Sequence, residues 1–319
     1  MPVPTDAVTK ASDHTLTTTL HPTAHFNFTQ SVEFIQNSGA TNHLDIIADD
    51  HTTSERPIRL NDRIFWIKLE GSGDDVTVML TSPDADPRPT DADMQAAVAW
   101  ANRRFFMDVD MAQVKETLLA DKYGEELVTR FFPARPANYP SAWEALIKSV
   151  IHAQIYPGLA QKLDDYLCRN YGTEVTFNGE KYYMVPTPEQ LLNAVPDDLK
   201  AASFSRQKAD YLTTIPQQIL DDPEKYDFDA MRDLDGEDVV NRLKDLHGVG
   251  PWTAQNVAMR GLPHPDVFID EKATRSTLTP YYGKEDKLTK GQAKKAVAQF
   301  APYRTFACYY TYMKHFNME

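Results

Sequence analysis

Cysteine is scarce: the 319 residues hold only Cys168 and Cys308. Two thiols cannot build a cysteine-only zinc site or hold an iron–sulfur cluster through four thiolates. Free, packed thiols in a reducing cytoplasm are the expectation. Long apolar runs are also missing, with none near the roughly 18 residues of a membrane span, so no membrane partner is expected. The opening Met-Pro-Val-Pro-Thr-Asp lacks the basic and then apolar stretches of a secretion signal. There is no His-Glu-x-x-His, and His21 and His25 stand without further ligands. The acidic run Asp227, Asp229 to Asp238 places Met231 and Arg232 where a calcium loop needs a ligand and its turn glycine, so it reads as a turn and helix start. No internal repeat is present. Basic residues are in deficit, 33 against 46 acidic, for a net charge of -13. Taken over the whole chain, that speaks against a nucleic-acid partner.

What is present is core material and an uneven distribution of charge. Hydrophobic residues make up 42%, with 4 Trp, 15 Tyr and 15 Phe, enough for one large domain or two smaller ones. Residues 1–90 carry 6 basic and 13 acidic groups (net -7), and residues 91–240 carry 15 and 26 (net -11). Residues 241–319 carry 12 and 7, net +5. A site for a polyanion belongs in that last quarter.

Pattern divides the chain into α+β order. Residues 1–23, rich in Thr, Asp and His without a period, are expected to fray. Residues 24–90 read as an antiparallel sheet domain: Ala24–Phe28 alternates, Ile64–Leu69 is β-rich, and Gly71-Ser72-Gly73-Asp74-Asp75 turns into Val76–Leu80 as a hairpin. Ser82 to Pro89 has linker composition. Residues 91–319 read as a helical bundle, with helices at 91–106, 111–129, 141–155, 158–171, 187–202, 205–220, 236–246, 251–261, 290–299 and 302–316. Ser141 and Glu144 form a capping box, and Asn178-Gly179 turns a small hairpin within 171–183.

The most informative segment is Leu243 to Ala254. A helix ends at Leu246, Gly248 and Gly250 make a tight turn, and Pro251 opens the next helix. Glycines admit close approach to the backbone, and the new helix offers unpaired amides and the positive end of its dipole to a phosphate. Gly-x-Gly alone equally describes an ordinary packing corner. In context, Leu-His-Gly-Val-Gly-Pro-Trp-Thr-Ala at 246–254 resembles the helix–hairpin–helix of the DNA glycosylase superfamily that contains endonuclease III, MutY and AlkA. Three further segments resemble the superfamily in order: Ser141 to Gln154, Asp266 to Arg275, and Pro302 to Ala307. Residues 25–83 resemble the small sheet domain of AlkA-like DNA-3-methyladenine glycosylase II.

That resemblance implies a monofunctional DNA glycosylase of base excision repair, cofactor-free and monomeric, in a bacterial-type cytoplasm with the nucleoid. Its partner would be damaged double-stranded DNA and its substrate an alkylated purine of the 3-methyladenine or 7-methylguanine type. Cleaving an N-glycosidic bond builds positive charge on the sugar, which a carboxylate beneath it stabilises. Asp270, 18 residues after Trp252, is implied as that carboxylate, with Glu271 the alternative because an AlkA-type loop places its aspartate later. On spacing alone, Asp270 reads first as the cap of the helix beginning at Glu271. Trp252 stands where bifunctional relatives carry a Schiff-base lysine, implying hydrolysis without strand cleavage. Trp252 and Tyr312 are implied to line the base pocket, although Tyr312, amid Tyr309, Tyr310 and Phe316, suits a core equally well. Asn256 stands where AlkA has an aromatic. Gln154 is implied to fill the gap left by the flipped base; Gly248, Gly250 and Thr253 are implied to grip a phosphate. Hairpin carbonyls are implied to hold a monovalent cation, with no other metal. Lys272, Arg275, Lys287, Lys290, Lys294 and Lys295 suit more distant phosphates or a solvated face. Excision of a deaminated or oxidised base, or silent structure-specific DNA binding on the same fold, are the alternative readings.

Overall fold

The computed structural model describes residues 3–22, 26–37, 43–83, 87–136, 138–283 and 287–316. Strands β1 (Thr9–Ser12) and β2 (Thr15–Leu20) precede helix α1 (Phe28–Asn37), and β3 (Ile46–Ile47), β4 (Thr53–Leu60), β5 (Arg63–Ser72) and β6 (Asp75–Thr81) follow. All six strands form one antiparallel sheet in the order β1-β2-β6-β5-β4-β3. The expected hairpin turns at Gly73-Asp74, with Ser72 opposite Asp75. Along β6, Val76, Val78 and Leu80 face the core in strict alternation.

Two expectations change here. Residues 9–20 do not fray: β2 pairs with β6 from Thr15↔Thr81 to Leu20↔Val76, and Leu20 is buried. Polar composition concealed a run of β-branched threonines, which suit a pleated, half-buried surface. Phe28 does not continue a strand but opens α1, while Ala24 and His25 lie outside the described residues. Phe28, Ser31, Val32 and Ile35 are buried at helical spacing, and the Asn27 side chain accepts from the Gln30 amide at its start.

The helices run α2 (Asp91–Phe105), α3 (Met111–Leu118), α4 (Lys122–Phe131), α5 (Ala142–His152) and α6 (Pro157–Tyr171). The small hairpin of β7 (Glu174–Phe177) and β8 (Glu180–Tyr183) turns at Asn178-Gly179 as expected. Then come α7 (Pro188–Leu191), α8 (Pro196–Ala201), α9 (Arg206–Asp221), α10 (Gly236–Lys244), α11 (Pro251–Asn256), α12 (Lys272–Tyr282), α13 (Lys290–Val297) and α14 (Arg304–His315). Two expected single helices are pairs. Asp121 caps α4 through the Gly124 amide and divides 111–129; Thr187 and Pro196 start separate helices within 187–202. At α5 the Ser141 hydroxyl accepts from the Glu144 amide at 3.1 Å, but the return half of the box is replaced: the Glu144 carboxylate accepts from Arg56 at 3.0 Å.

Two apolar cores result. One joins the inner face of the sheet to α1–α4 and α12–α14; the other is built from α5–α11. The sheet therefore has no core separate from the helices that follow it. The Asp266–Glu271 loop, Tyr139 and Phe268 lie where the two cores meet.

Candidate DNA-facing site

The turn between α10 and α11 is braced from behind by α9. Gly248 has φ +76, and the Tyr211 ring lies so close that a Cβ there would come within 2.3 Å of it. Both conformation and space thus require glycine. His247 donates its amide to Gln218 at 2.7 Å and pairs its ring with Asp210 at 2.7 Å. Gly250 differs: as N-cap of α11 it faces open space. The Trp252 and Thr253 amides lie in the first helical turn, where no intrahelical acceptor exists. The Thr253 side chain is buried, so its contribution to this surface is the amide.

Gln154 follows α5 in the left-handed region, at φ +56, and is exposed beside the exposed Tyr156. Lys208, which the sequence reading missed, fixes this end: its ammonium donates to the carbonyls of Ile151 and, at 2.8 Å, Ala153. Burial pulls that ammonium below the usual lysine range. Gln154, Gly248, Gly250, Trp252, Thr253 and Glu271 line one crevice of about 780 Å³.

Trp252 and Glu271 also line a second, aromatic cavity of about 680 Å³ together with Tyr312, Phe316 and, from α1, Glu33 and Phe34. The Tyr312 hydroxyl donates to Glu271 Oε1 at 2.6 Å, and its ring stacks on Phe316 with 5° between planes. Burial, with Glu271 beside it, pushes that hydroxyl far up, so it stays protonated. Asn256, at the place of the expected aromatic, is buried and donates to Ser149 Oγ at 2.8 Å, clamping α11 to α5.

The two candidate carboxylates part company. Glu271 is the N-cap of α12, in a capping box with Thr274, and faces both cavities. Helix α12 therefore begins one residue later than expected, and Asp270 is not its cap. Asp270 pairs with Arg275 at 2.5 Å and lines a separate cavity of about 350 Å³ between α10 and α13, with Lys244, Lys290, Lys294 and Arg304. Gln154, Gly248, Gly250, Trp252 and Thr253 thus share the crevice with Glu271, Trp252 and Tyr312 share the aromatic cavity with it, and Asp270 lines the neighbouring cavity, which the hairpin's Pro251 also reaches. Of the distant basic candidates, Arg275 is paired to Asp270 and Lys294 to Glu237. The α1 wall carried no sequence signal, since Phe34 lay in a stretch without a recognised helical pattern.

No protein-family model matches the chain. Over 227 residues, it is 24% identical to a DNA-3-methyladenine glycosylase of Bacillus subtilis, covering 70% of this chain and 74% of the relative. The fold is that of the 3-methyladenine DNA-glycosylase from Archaeoglobus fulgidus, with a TM-score of 0.74 and 19% identity over 94% of this chain and 99% of that one. It is equally that of the 8-oxoguanine glycosylase/lyase from Clostridium acetobutylicum, with a TM-score of 0.72 and 15% identity over 98% and 99%.

Proposed function

We propose that the chain is a helix–hairpin–helix DNA glycosylase that hydrolyses the N-glycosidic bond of an alkylated purine turned out of duplex DNA. The observation that carries this is the place of Glu271, which with Trp252 lines both the hairpin crevice and the aromatic cavity. A strand laid along the crevice would set a phosphate on the amides at Gly250, Trp252 and Thr253. Gln154, held out at the end of α5, would enter the gap in the stack. The flipped base would pass between Trp252 and Tyr312, whose electron-rich faces suit a base made cationic by alkylation.

The sugar then lies at the mouth, against Glu271. As the bond to the base breaks, positive charge develops on the sugar, and an anionic carboxylate held by the Tyr312 hydroxyl stabilises it without reorganising. The same carboxylate can orient the attacking water. Lys208, a lysine lining this crevice, is engaged by the carbonyls of Ile151 and Ala153, which supports hydrolysis over Schiff-base chemistry.

The test is release of free base from methylated, deaminated and oxidised duplexes. Methylated purines are the expected product. Glu271→Gln should slow release by about a hundredfold or more, while Asp270→Asn should leave most of it. The reverse ranking would return the chemistry to Asp270. Borohydride should trap no protein–DNA adduct; a trapped adduct would reject the monofunctional assignment.

A further inference from the structure

Among the described residues, the sheet domain reaches the aromatic cavity through α1. Glu33 and Phe34 form part of the wall of the aromatic cavity, opposite α11 and α14. Phe34 is buried and sits edge-on to Tyr309 of α14, ring centroids 6.2 Å apart at 85°, so the wall is packed against the bundle. Glu33 is half-buried, and among the described residues it has no salt bridge. Of the other polar groups of the cavity, Asn256 holds Ser149, Tyr312 holds Glu271, and the Arg260 guanidinium lies over the Tyr139 ring at 4.8 Å, while the buried Tyr309 hydroxyl has no hydrogen-bond partner among the described residues. With Arg260 drawn to Tyr139 and no salt bridge to Glu33 among the described residues, the Glu33 and Glu271 carboxylates beside aromatic faces are the surrounding that a cationic aromatic ring fits.

We propose that Glu33 of the sheet domain is a specificity-determining residue, favouring a base that carries positive charge over its neutral counterpart in the aromatic cavity. The inference rests on reading that cavity as the base pocket. Aromatic faces alone stack any base, charged or not. A second carboxylate, distinct from the one that meets the sugar, adds an electrostatic preference that a neutral base cannot satisfy. It also gives the sheet domain a role in choosing the substrate rather than only supporting the bundle.

Binding of two small probes separates this from the chemistry. The permanently cationic 7,9-dimethyladeninium and the neutral 9-methyladenine are titrated by calorimetry into the wild-type chain, Glu33→Gln and Trp252→Ala. The wild type should prefer the cation. Glu33→Gln should reduce that preference about fivefold to tenfold while leaving affinity for the neutral probe unchanged, and the effect should shrink as salt is raised. Trp252→Ala should weaken both probes. An undiminished preference in Glu33→Gln, with both probes weakened by Trp252→Ala, overturns the role of Glu33 and leaves the base pocket standing. Absence of binding by the wild type, or binding indifferent to Trp252→Ala, overturns both. Because Glu33 is a partly exposed helix residue, the variant should melt with the wild type, and its melting temperature is measured alongside.

Discussion

The two glycines of the hairpin satisfy the same motif for different reasons. At Gly248 a methyl group would meet the Tyr211 ring in a left-handed backbone. Gly248→Ala should therefore cost about 2 kcal/mol or more, from backbone strain of roughly 1–2 kcal/mol and displacement of the ring. At Gly250 the backbone is extended and the space is open, so Gly250→Ala should stay within about 0.5 kcal/mol of wild type. If the second position serves phosphate approach, its alanine variant should lose duplex affinity without losing stability. Denaturant unfolding and binding to a duplex, measured on both variants, check the pair. Equal stability losses would refute the distinction. Asp270 and Glu271 show the same principle in adjacent residues: both are acidic, but the start of α12 decides which one faces the cavities.

Helix ends, rather than helix bodies, place the groups of the hairpin crevice. The carboxyl end of α5 terminates over the Lys208 ammonium, and Gln154 leaves it in a left-handed conformation. Lys208→Met would leave two carbonyls at the negative end of the helix dipole without their charged donor. The expected loss is about 1.5–3 kcal/mol, with a parallel drop in the ability to hold a base unstacked. Fluorescence of 2-aminopurine beside the lesion reports the latter, and a variant that unfolds and unstacks like wild type would remove Lys208 from this role. Much at this scale was legible in the sequence. Ser141, Asn178-Gly179 and the hairpin glycines mark element ends where they were expected, because caps and turns are local chemistry. Strand β2 and helix α1 were not legible. A threonine run becomes a strand when β6 offers an edge, and Phe34 becomes a helical residue when a core lies beneath it.

Across the whole molecule, the sheet is tied to both helical layers by a buried ion cluster. Arg56 of β4 pairs with Asp45 at 3.2 Å and Glu144 of α5 at 3.0 Å, and Arg104 of α2 reaches Asp45 at 3.4 Å. The Arg56, Asp45 and Arg104 side chains are all nearly inaccessible to solvent. A complete cluster of this kind contributes little net stability, but removing one partner leaves buried charge uncompensated. Arg56→Ala should destabilise the fold by about 3–5 kcal/mol, measured by chemical denaturation; a loss below 1 kcal/mol would show that the cluster is solvated or rearranges. Since Gln154 follows directly on the carboxyl end of α5, the same cluster ties the sheet, and with it α1, to the helix that leads into the hairpin crevice.

The sequence by itself determined the deficit of basic charge, its reversal over residues 241–319, and the hairpin with the start of the helix that follows it. These depend on residue type and short spacing, which the chain carries without folding. Only the tertiary structure decided which of two neighbouring carboxylates faces the aromatic cavity, that Lys208 holds the end of α5, and that the sheet domain supplies a wall of that cavity. The physical reason is that each depends on direction. A side chain's direction is set by where its helix begins and by what packs against it, and those partners lie far away along the chain.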